Sequence, residues 1–202
     1  GWAGYDLKTH LLPPEQFLAH VFRQALTDAL TNGDLEGEGP DGKLLVRFRE
    51  HMGGFELEHV LCTLQQKSST HILDLALHVA KVLNEAYTTL QSVDSRWCGP
   101  WKDVEVLINP NGPLINGGSD GDNGQTGRKL VMDYYGPRIP IGGGALSGKD
   151  FSHIDRAGAY AARHAAVKAV CSGAKSCQVT LTYAPNCDVP LDVCYDMEGR
   201  GE

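Results

Sequence analysis

The sequence lacks a long apolar run. Its most apolar stretches, such as ILDLALHVA from Ile72, are interrupted by Asp and His well short of the roughly 20 residues that a membrane-spanning helix needs. Basic residues are also few, since 18 Lys and Arg stand against 25 Asp and Glu, giving a formal net charge of −7. We therefore expect no membrane span and no nonspecific binding to nucleic acid or anionic lipid, and any phosphate-binding surface must be local.

Thiol patterns that bind metal are absent as well. The six cysteines include no CxxC pair, and Cys171 and Cys177 have no His at zinc spacing, which excludes a thiolate metal cluster. Disulfides stay open as an alternative, because four of the six cysteines fall between Cys171 and Cys194. Cysteines at such strand and helix positions are most often small buried hydrophobic residues in a reducing compartment, so we expect a cytoplasmic protein.

The first half of the chain reads as helix, two strands and helix. Apolar residues at helical spacing predict a helix from Pro13 to about Thr31. The runs KLLVRFRE and FELEHVLCTLQQ, separated by a Gly-containing turn, predict a β-hairpin. We expect the second helix to be capped by one of three hydroxyl residues, Ser68, Ser69 or Thr70.

The second half continues with strands and one long helix. A strand, DVEVLIN, starts at Asp103, a helix runs from about Asp155 to Val170, and two strands follow as SCQVTLTYA and PLDVCYD. Because hairpins join neighbouring strands, the order favours an α+β fold over a doubly wound parallel sheet. We expect mixed sheets, each covered on one face by helices.

Glycine is concentrated between Asn111 and Lys149, where eleven of the chain's 24 glycines lie. Such backbone can approach a ligand closely. Cationic side chains in and near this stretch can neutralise phosphoryl oxygens, namely Lys43, Arg128, Lys129 and Lys149. Asp122 and Asp155 are candidate ligands for a hard cation such as Mg²⁺, which is often held beside phosphate. The sequence therefore predicts a polyphosphate site.

Each of these signals also has a plain structural interpretation. The segment GGGALSGKD is not a P-loop, because Asp150 follows Lys149 where Ser or Thr is required. A single glycine is most often a turn, and Arg128-Lys129 is compatible with a solvated surface pair. Ser152 and Asp155 have the spacing of a capping box ahead of an apolar helix. The density of the signals favours a site, whereas the capping box stays an open alternative for Asp155 that is compatible with a role in the site.

The glycine-rich half resembles a known family. The run INPNGPLINGGSDGDNGQTGRKLVMDYYG, followed by GGGALSGKDFSHIDRAGAYAAR, is similar to the bacterial and eukaryotic S-adenosylmethionine synthetases. Their pattern is INP-[ST]-GRFVIGG, GD-x-GLTGRK, DTYGG and GGGAFSGKD-x-x-KVDRSAAYAAR. Upstream, GPDGK resembles the family's RPD-x-K. The resemblance covers nearly the whole chain and is strongest from Ile108 to Arg163.

The resemblance implies a fold of similar layered α+β domains in a pseudo-threefold arrangement. Residues 1–104 would form a domain like the family's central one, and residues 105–202 a truncated domain like its C-terminal one. The family's first domain carries an HPDK segment that has no counterpart here. We therefore expect a homo- or hetero-oligomer, in which another chain supplies that domain.

The resemblance also implies a reaction, in which ATP and L-methionine form S-adenosylmethionine, pyrophosphate and phosphate, with Mg²⁺ and K⁺ as cofactors. It places triphosphate contacts at Lys43, Arg128, Lys129 and Lys149, nucleotide contacts at Asp41 and Ala145, a nucleotide and methionine contact at Asp122, and a metal contact at Asp155. His153 replaces a family Lys that would contact phosphate and methionine. Lys149, Arg128 and His153 would then be the catalytic groups, since fixed positive charge stabilises the departing triphosphate.

Three departures from the family pattern leave two hypotheses. The family's GRF is Gly112-Pro113-Leu114 here, the Phe of GGGAFSGKD is Leu146, and the second Lys is His153, a residue type that titrates near neutrality. The first hypothesis is that the chain is part of a working synthetase. The alternative is a noncatalytic relative that acts as a structural or regulatory subunit of a full synthetase.

Overall fold

The computed structural model describes residues 1–121 and 129–198. The elements in chain order are β1 (Trp2–Gly4), α1 (Pro14–Asn32), β2 (Gly42–His51), β3 (Gly54–Leu64), α2 (Ile72–Val93), β4 (Trp97–Cys98), β5 (Glu105–Ile108), α3 (Gly118–Gly121), α4 (Leu130–Asp133), α5 (Ile154–Cys171), β6 (Ser176–Thr182) and β7 (Asp192–Glu198). The mixture of helices and sheets confirms the predicted α+β class. Among the described residues, no helix is long and apolar enough to span a membrane.

The chain divides into two compact units. The terminal unit comprises Gly1–Phe17 and Gly124–Glu202, and the inner unit comprises Leu18–Asn123. The first residues of the chain therefore fold with the last ones. The family domains expected at 1–104 and 105–202 stay a prediction, because a compact unit and a family domain are different properties.

The inner unit is built on a mixed sheet. Strands β2 and β3 pair antiparallel, and β4 and β5 both pair parallel with β3. The hairpin turns at Met52 and Gly53, whose φ angles of 50° and 78° lie in the left-handed region that Gly adopts without strain. Strand β3 alternates between a buried face and a solvent face, and its buried side chains are Phe55, Leu57, Val60, Cys62 and Leu64.

Helix α2 buries one stripe of apolar side chains and contacts β4 and β5. The stripe recurs at helical spacing and consists of Leu75, Val79, Leu83, Tyr87 and Leu90. The prediction that a hydroxyl residue caps this helix is wrong. Thr70 donates its hydroxyl to Glu38 at 2.5 Å, and the N-cap is instead His71, which accepts a bond from the Leu73 amide at 3.3 Å.

The terminal unit has a smaller antiparallel sheet in the order β1, β6, β7, and α5 contacts both β1 and β6. Its core is formed by Ala3, Leu11, Ala162, Ala166, Cys177 and Val179. Arg163 on α5 donates to the carbonyls of Trp2 at 2.5 Å, Leu11 at 2.9 Å and His10 at 2.9 Å. These three bonds hold the beginning of the chain against the helix.

All six cysteines lie in the described part of the chain, and none forms a disulfide there. Cys62 and Cys177 are buried as expected, whereas the other four are exposed, so the expectation of burial is wrong for them. Burial raises the pKa of the Cys62 thiol to about 12. Cys62 therefore behaves as a small apolar side chain of the core.

Candidate functional site

The loop that precedes α5 brings two predicted site residues together. The ammonium group of Lys149 contacts the carboxylate of Asp155, and both side chains are partly buried, with 24% and 31% of their area exposed. The Nδ1 atom of His153 lies 3.8 Å from the same carboxylate. The cation expected to bind phosphate and the carboxylate expected to bind metal are therefore partners of each other.

The start of α5 differs from the capping box that the sequence suggested. Ser152 does not cap the helix, because its amide and hydroxyl both donate to Asp150, at 2.9 and 2.7 Å. These two bonds hold the pKa of the Asp150 carboxyl below its ordinary value. The N-cap is His153, whose Nδ1 accepts a hydrogen bond from the Asp155 amide at 3.2 Å. A residue predicted to contact phosphate thus has a structural role as well.

The glycine segment ahead of Lys149 passes close to Asp155. A Cβ atom on Gly144 would lie 2.7 Å from the Asp155 carboxyl carbon, so any larger residue there would displace the Asp155 side chain. The hydroxyl of Tyr134 donates to the Gly144 carbonyl at 2.7 Å, and burial raises the pKa of Tyr134. Ala145, a predicted nucleotide contact, is the next residue and is half-buried. Tyr134 was not singled out from the sequence, although it lies within the family-like run DYYG.

The other candidates of the terminal unit stay separate from this cluster or cannot be placed. Lys129 is exposed at the start of α4 and makes no side-chain capping bond. Asp122 and Arg128 lie outside the described residues. The structure thus brings together Lys149, His153 and Asp155, beside Gly144 and Ala145.

In the inner unit, Asp41 has a structural role that sequence analysis missed. Its carboxylate accepts a hydrogen bond from the Gly118 amide at 2.8 Å, and its carbonyl accepts one from the Gln65 amide at 2.8 Å. Asp41 therefore holds the first residue of α3 in place. Lys43 is exposed on β2, opposite Thr63. The expected nucleotide and phosphate contacts of Asp41 and Lys43 stay predictions.

Comparison with known proteins identifies the family. The family model "S-adenosylmethionine synthetase, C-terminal domain" matches residues 116–202. The S-adenosylmethionine synthase of Rhodospirillum centenum is 34% identical over 193 residues, covering 95% of this chain and 48% of that protein. The synthase of Acholeplasma laidlawii is 36% identical over 206 residues, covering 100% of this chain and 51% of that protein. The chain belongs to the S-adenosylmethionine synthetase family.

A solved structure supports the same assignment. The unusual S-adenosylmethionine synthetase of Campylobacter jejuni superposes with a TM-score of 0.81 at 29% identity, over 97% of this chain and 51% of that one. The layered α+β fold predicted from the sequence is therefore confirmed. The chain spans about half the length of the synthetases that it matches.

The described residues do not by themselves form a site for the Mg²⁺ or K⁺ that the synthetase family implies. Among them, no group of three or more His, Cys, Asp or Glu side chains could hold a metal ion. The best candidate, Asp155, already binds the Lys149 ammonium. Mg²⁺ is usually held by one or two carboxylates together with phosphate oxygens and water, so the metal contact predicted for Asp155 stays a prediction.

Proposed function

We propose that this chain is the triphosphate-binding part of an enzyme that forms S-adenosylmethionine, pyrophosphate and phosphate from ATP and L-methionine. The observation that carries the proposal is the setting of Lys149. Lys149 follows a glycine-rich segment, and its partly buried ammonium group contacts the carboxylate of Asp155. A triphosphate carries several negative charges where a carboxylate carries one, so its oxygens can compete with Asp155 for the ammonium.

In this proposal, fixed cations stabilise the negative charge that develops on the triphosphate as it leaves the ribose carbon. The proposed phosphate contacts are Lys43, Arg128, Lys129, Lys149 and His153, and the proposed nucleotide and methionine contacts are Asp41, Asp122, Ala145 and His153. The contributions of all residues other than Lys149 rest on the family resemblance. Mg²⁺ and K⁺ are expected cofactors on the same ground, as is the cytoplasmic location.

The N-cap of α5 suggests what His153 does in place of the family's lysine. Since Nδ1 accepts the Asp155 amide hydrogen, the neutral ring carries its hydrogen on Nε2. The side chain is 47% exposed, so Nε2 can donate one hydrogen bond to a phosphate oxygen. His153 would then act as a neutral donor where a lysine would supply a full charge.

Calorimetric titration of the 202-residue chain with inorganic triphosphate tests the proposal. Lys149→Ala should weaken binding by about 1.5–3 kcal/mol, the range for a hydrogen bond to a charged group. Lys168→Ala is the matched control, because Lys168 is an exposed lysine near the far end of α5. Equal affinity of the original chain and the Lys149→Ala variant would contradict the proposal.

The alternative role, as a structural or regulatory subunit, requires an association face, and one sheet face of the inner unit exposes apolar side chains. Leu45, Leu61 and Leu107 stand side by side on β2, β3 and β5. Leu45 is 54% exposed and Leu107 is 37% exposed, whereas Val60 and Cys62 point to the buried face. A leucine row of this kind on a sheet surface is typical of an association face.

The charges beside the leucine row suit a second copy of the chain. Arg47 and Arg49 lie on β2 at one side of the row, where both also contact Glu58. Glu105 lies on β5 at the other side, where it contacts His59. A two-fold axis parallel to the strands above Leu61 would place β2 of each copy over β5 of the other. Arginines would then face glutamates across the leucines. Self-association through this face is compatible with both the enzymatic and the structural role.

A further inference from the structure

The side chain of Arg156 connects the first turn of α5 to the loop that carries Lys149. One terminal nitrogen of its guanidinium donates to the Lys149 carbonyl at 2.5 Å. The other terminal nitrogen donates to the Tyr160 hydroxyl at 3.2 Å, one helical turn further on. The third nitrogen, Nε, is inaccessible to solvent and has no hydrogen-bond partner within the described residues. Each terminal nitrogen therefore has one of its two N–H groups engaged inside the protein.

Two exposed aromatic rings surround this guanidinium. Its central carbon lies 4.0 Å from the centre of the Phe151 ring and 5.9 Å from the centre of the Tyr160 ring. Phe151 is 70% exposed and Tyr160 is 48% exposed, so neither ring belongs to the core. Attraction between a cation and an aromatic face stabilises the observed orientation of the guanidinium. That orientation is the one that reaches the Lys149 carbonyl.

Lys149 is consequently held at two points by two adjacent residues of α5. Asp155 binds its ammonium group, and Arg156 binds its carbonyl oxygen. The bond to Asp155 is weakened when the ammonium also contacts phosphate, because the carboxylate and the phosphate share one cation and repel each other. The bond from Arg156 involves only the backbone carbonyl of Lys149, so it can persist when triphosphate is bound.

We propose that Arg156 is a positioning residue, which fixes the backbone of Lys149 for triphosphate binding and is itself held in place by Phe151 and Tyr160. The inference rests on the proposed function of Lys149. Arg156 acts through Lys149 and does not touch the triphosphate. A lysine at position 156 cannot replace it, because an ammonium group lacks the planar fork that bonds the carbonyl and the hydroxyl at the same time.

The test is a double-mutant cycle on the full 202-residue chain, with the affinity for inorganic triphosphate as the readout. Arg156→Lys should weaken binding roughly tenfold in the original background, as expected for loss of a charge-assisted hydrogen bond. In the Lys149→Ala background, the same change should alter the affinity by less than about twofold, because the group that Arg156 positions is gone. The control is Arg163→Lys, since Arg163 lies on the same helix and also donates to backbone carbonyls.

A second pair of variants keeps the proposal testable if Arg156→Lys folds poorly. Phe151 is largely exposed, so Phe151→Leu and Phe151→Tyr should both fold. Phe151→Leu removes the aromatic face and should weaken triphosphate binding by about threefold, whereas Phe151→Tyr retains the face and the affinity.

The outcomes separate this inference from the proposed function. If Lys149→Ala leaves the affinity unchanged, the proposed function itself fails. If Lys149→Ala weakens binding while Arg156→Lys and Phe151→Leu have no effect, only the positioning role of Arg156 is overturned. Equal losses from Arg156→Lys in both backgrounds would also overturn it, because they would mean that Arg156 acts independently of Lys149.

Discussion

The ammonium group of Lys149 contacts the carboxylate of Asp155 at the start of α5, although sequence analysis assigned the first to phosphate and the second to metal. The Lys149 ammonium has three N–H donors, so triphosphate can bind it while Asp155 is still in place. The carboxylate nevertheless weakens that binding, because it occupies one donor and repels the anion. The pair therefore sets a cost for binding that a change at position 155 can remove.

We expect Asp155→Asn to tighten binding of metal-free triphosphate by on the order of fivefold, since the amide competes more weakly for the Lys149 ammonium and repels the anion less. Calorimetry in the presence of a chelator measures the change. Asp192→Asn serves as the control, because Asp192 is an exposed carboxylate at the start of β7. Weaker binding by Asp155→Asn without metal would show that the pair does not compete with phosphate.

His153 should stabilise α5 as its N-cap. His153→Ala leaves the Asp155 amide without this acceptor and should lower the free energy of unfolding by about 0.5–2 kcal/mol. His153→Asn should lower the free energy of unfolding by less than His153→Ala does, because Asn is a favoured capping residue. His153→Lys, which introduces the family's residue, should be destabilised like the Ala variant. Urea unfolding at constant pH is the measurement, and equal stability of the Ala and Asn variants would contradict the capping role.

Cys62 should make the inner unit lose stability at alkaline pH. Its folded-state pKa is raised to about 12 from an ordinary 9.0, so the unfolded chain releases this proton first as the pH rises. The contribution of the buried Cys62 thiol to the free energy of unfolding is complete below pH 9.0 and is lost between that value and about 12. In this range the free energy of unfolding falls by up to about 1.4 kcal/mol per pH unit.

The comparison of Cys62→Ala with the original chain isolates this effect from other titrating groups. Urea unfolding at pH 8 and pH 10 should show a smaller loss of stability for Cys62→Ala than for the original chain. Cys171→Ala removes an exposed thiol and serves as the control. An identical loss in all three proteins would exclude Cys62 as the source of the pH dependence.

The leucine row on the inner sheet should mediate self-association. Leu45→Glu places a charge among Leu61 and Leu107 and should raise the dimer dissociation constant at least tenfold, with little effect on folding because Leu45 is already 54% exposed. Met52→Glu is the control, since Met52 is 94% exposed at the hairpin turn. Sedimentation at micromolar concentration measures the change, and a single-chain mass for the original protein would contradict the association face.

Patterns within a few residues were predicted well from the sequence. The helix expected from Pro13 to about Thr31 is α1, Pro14–Asn32, and the helix expected from about Asp155 to Val170 is α5, Ile154–Cys171. Strand β1 was missed, because three residues are too few to show an alternating pattern. Both helix caps were misassigned, since His71 and His153 cap through Nδ1 while the nearby hydroxyl groups donate to Glu38 and Asp150.

The sequence by itself determined the α+β class and the membership in the S-adenosylmethionine synthetase family, because periodicity and linear motifs are properties of neighbouring residues. Only the tertiary structure decided which distant residues meet. It pairs Ala3 with Cys177 and bonds Arg163 to the carbonyl of Trp2, which unites the two ends of the chain in one unit. It also gives Lys149 the partner Asp155 and the support of Arg156. Such contacts depend on how the loop before α5 folds back onto the helix, and no local pattern of residues specifies that path.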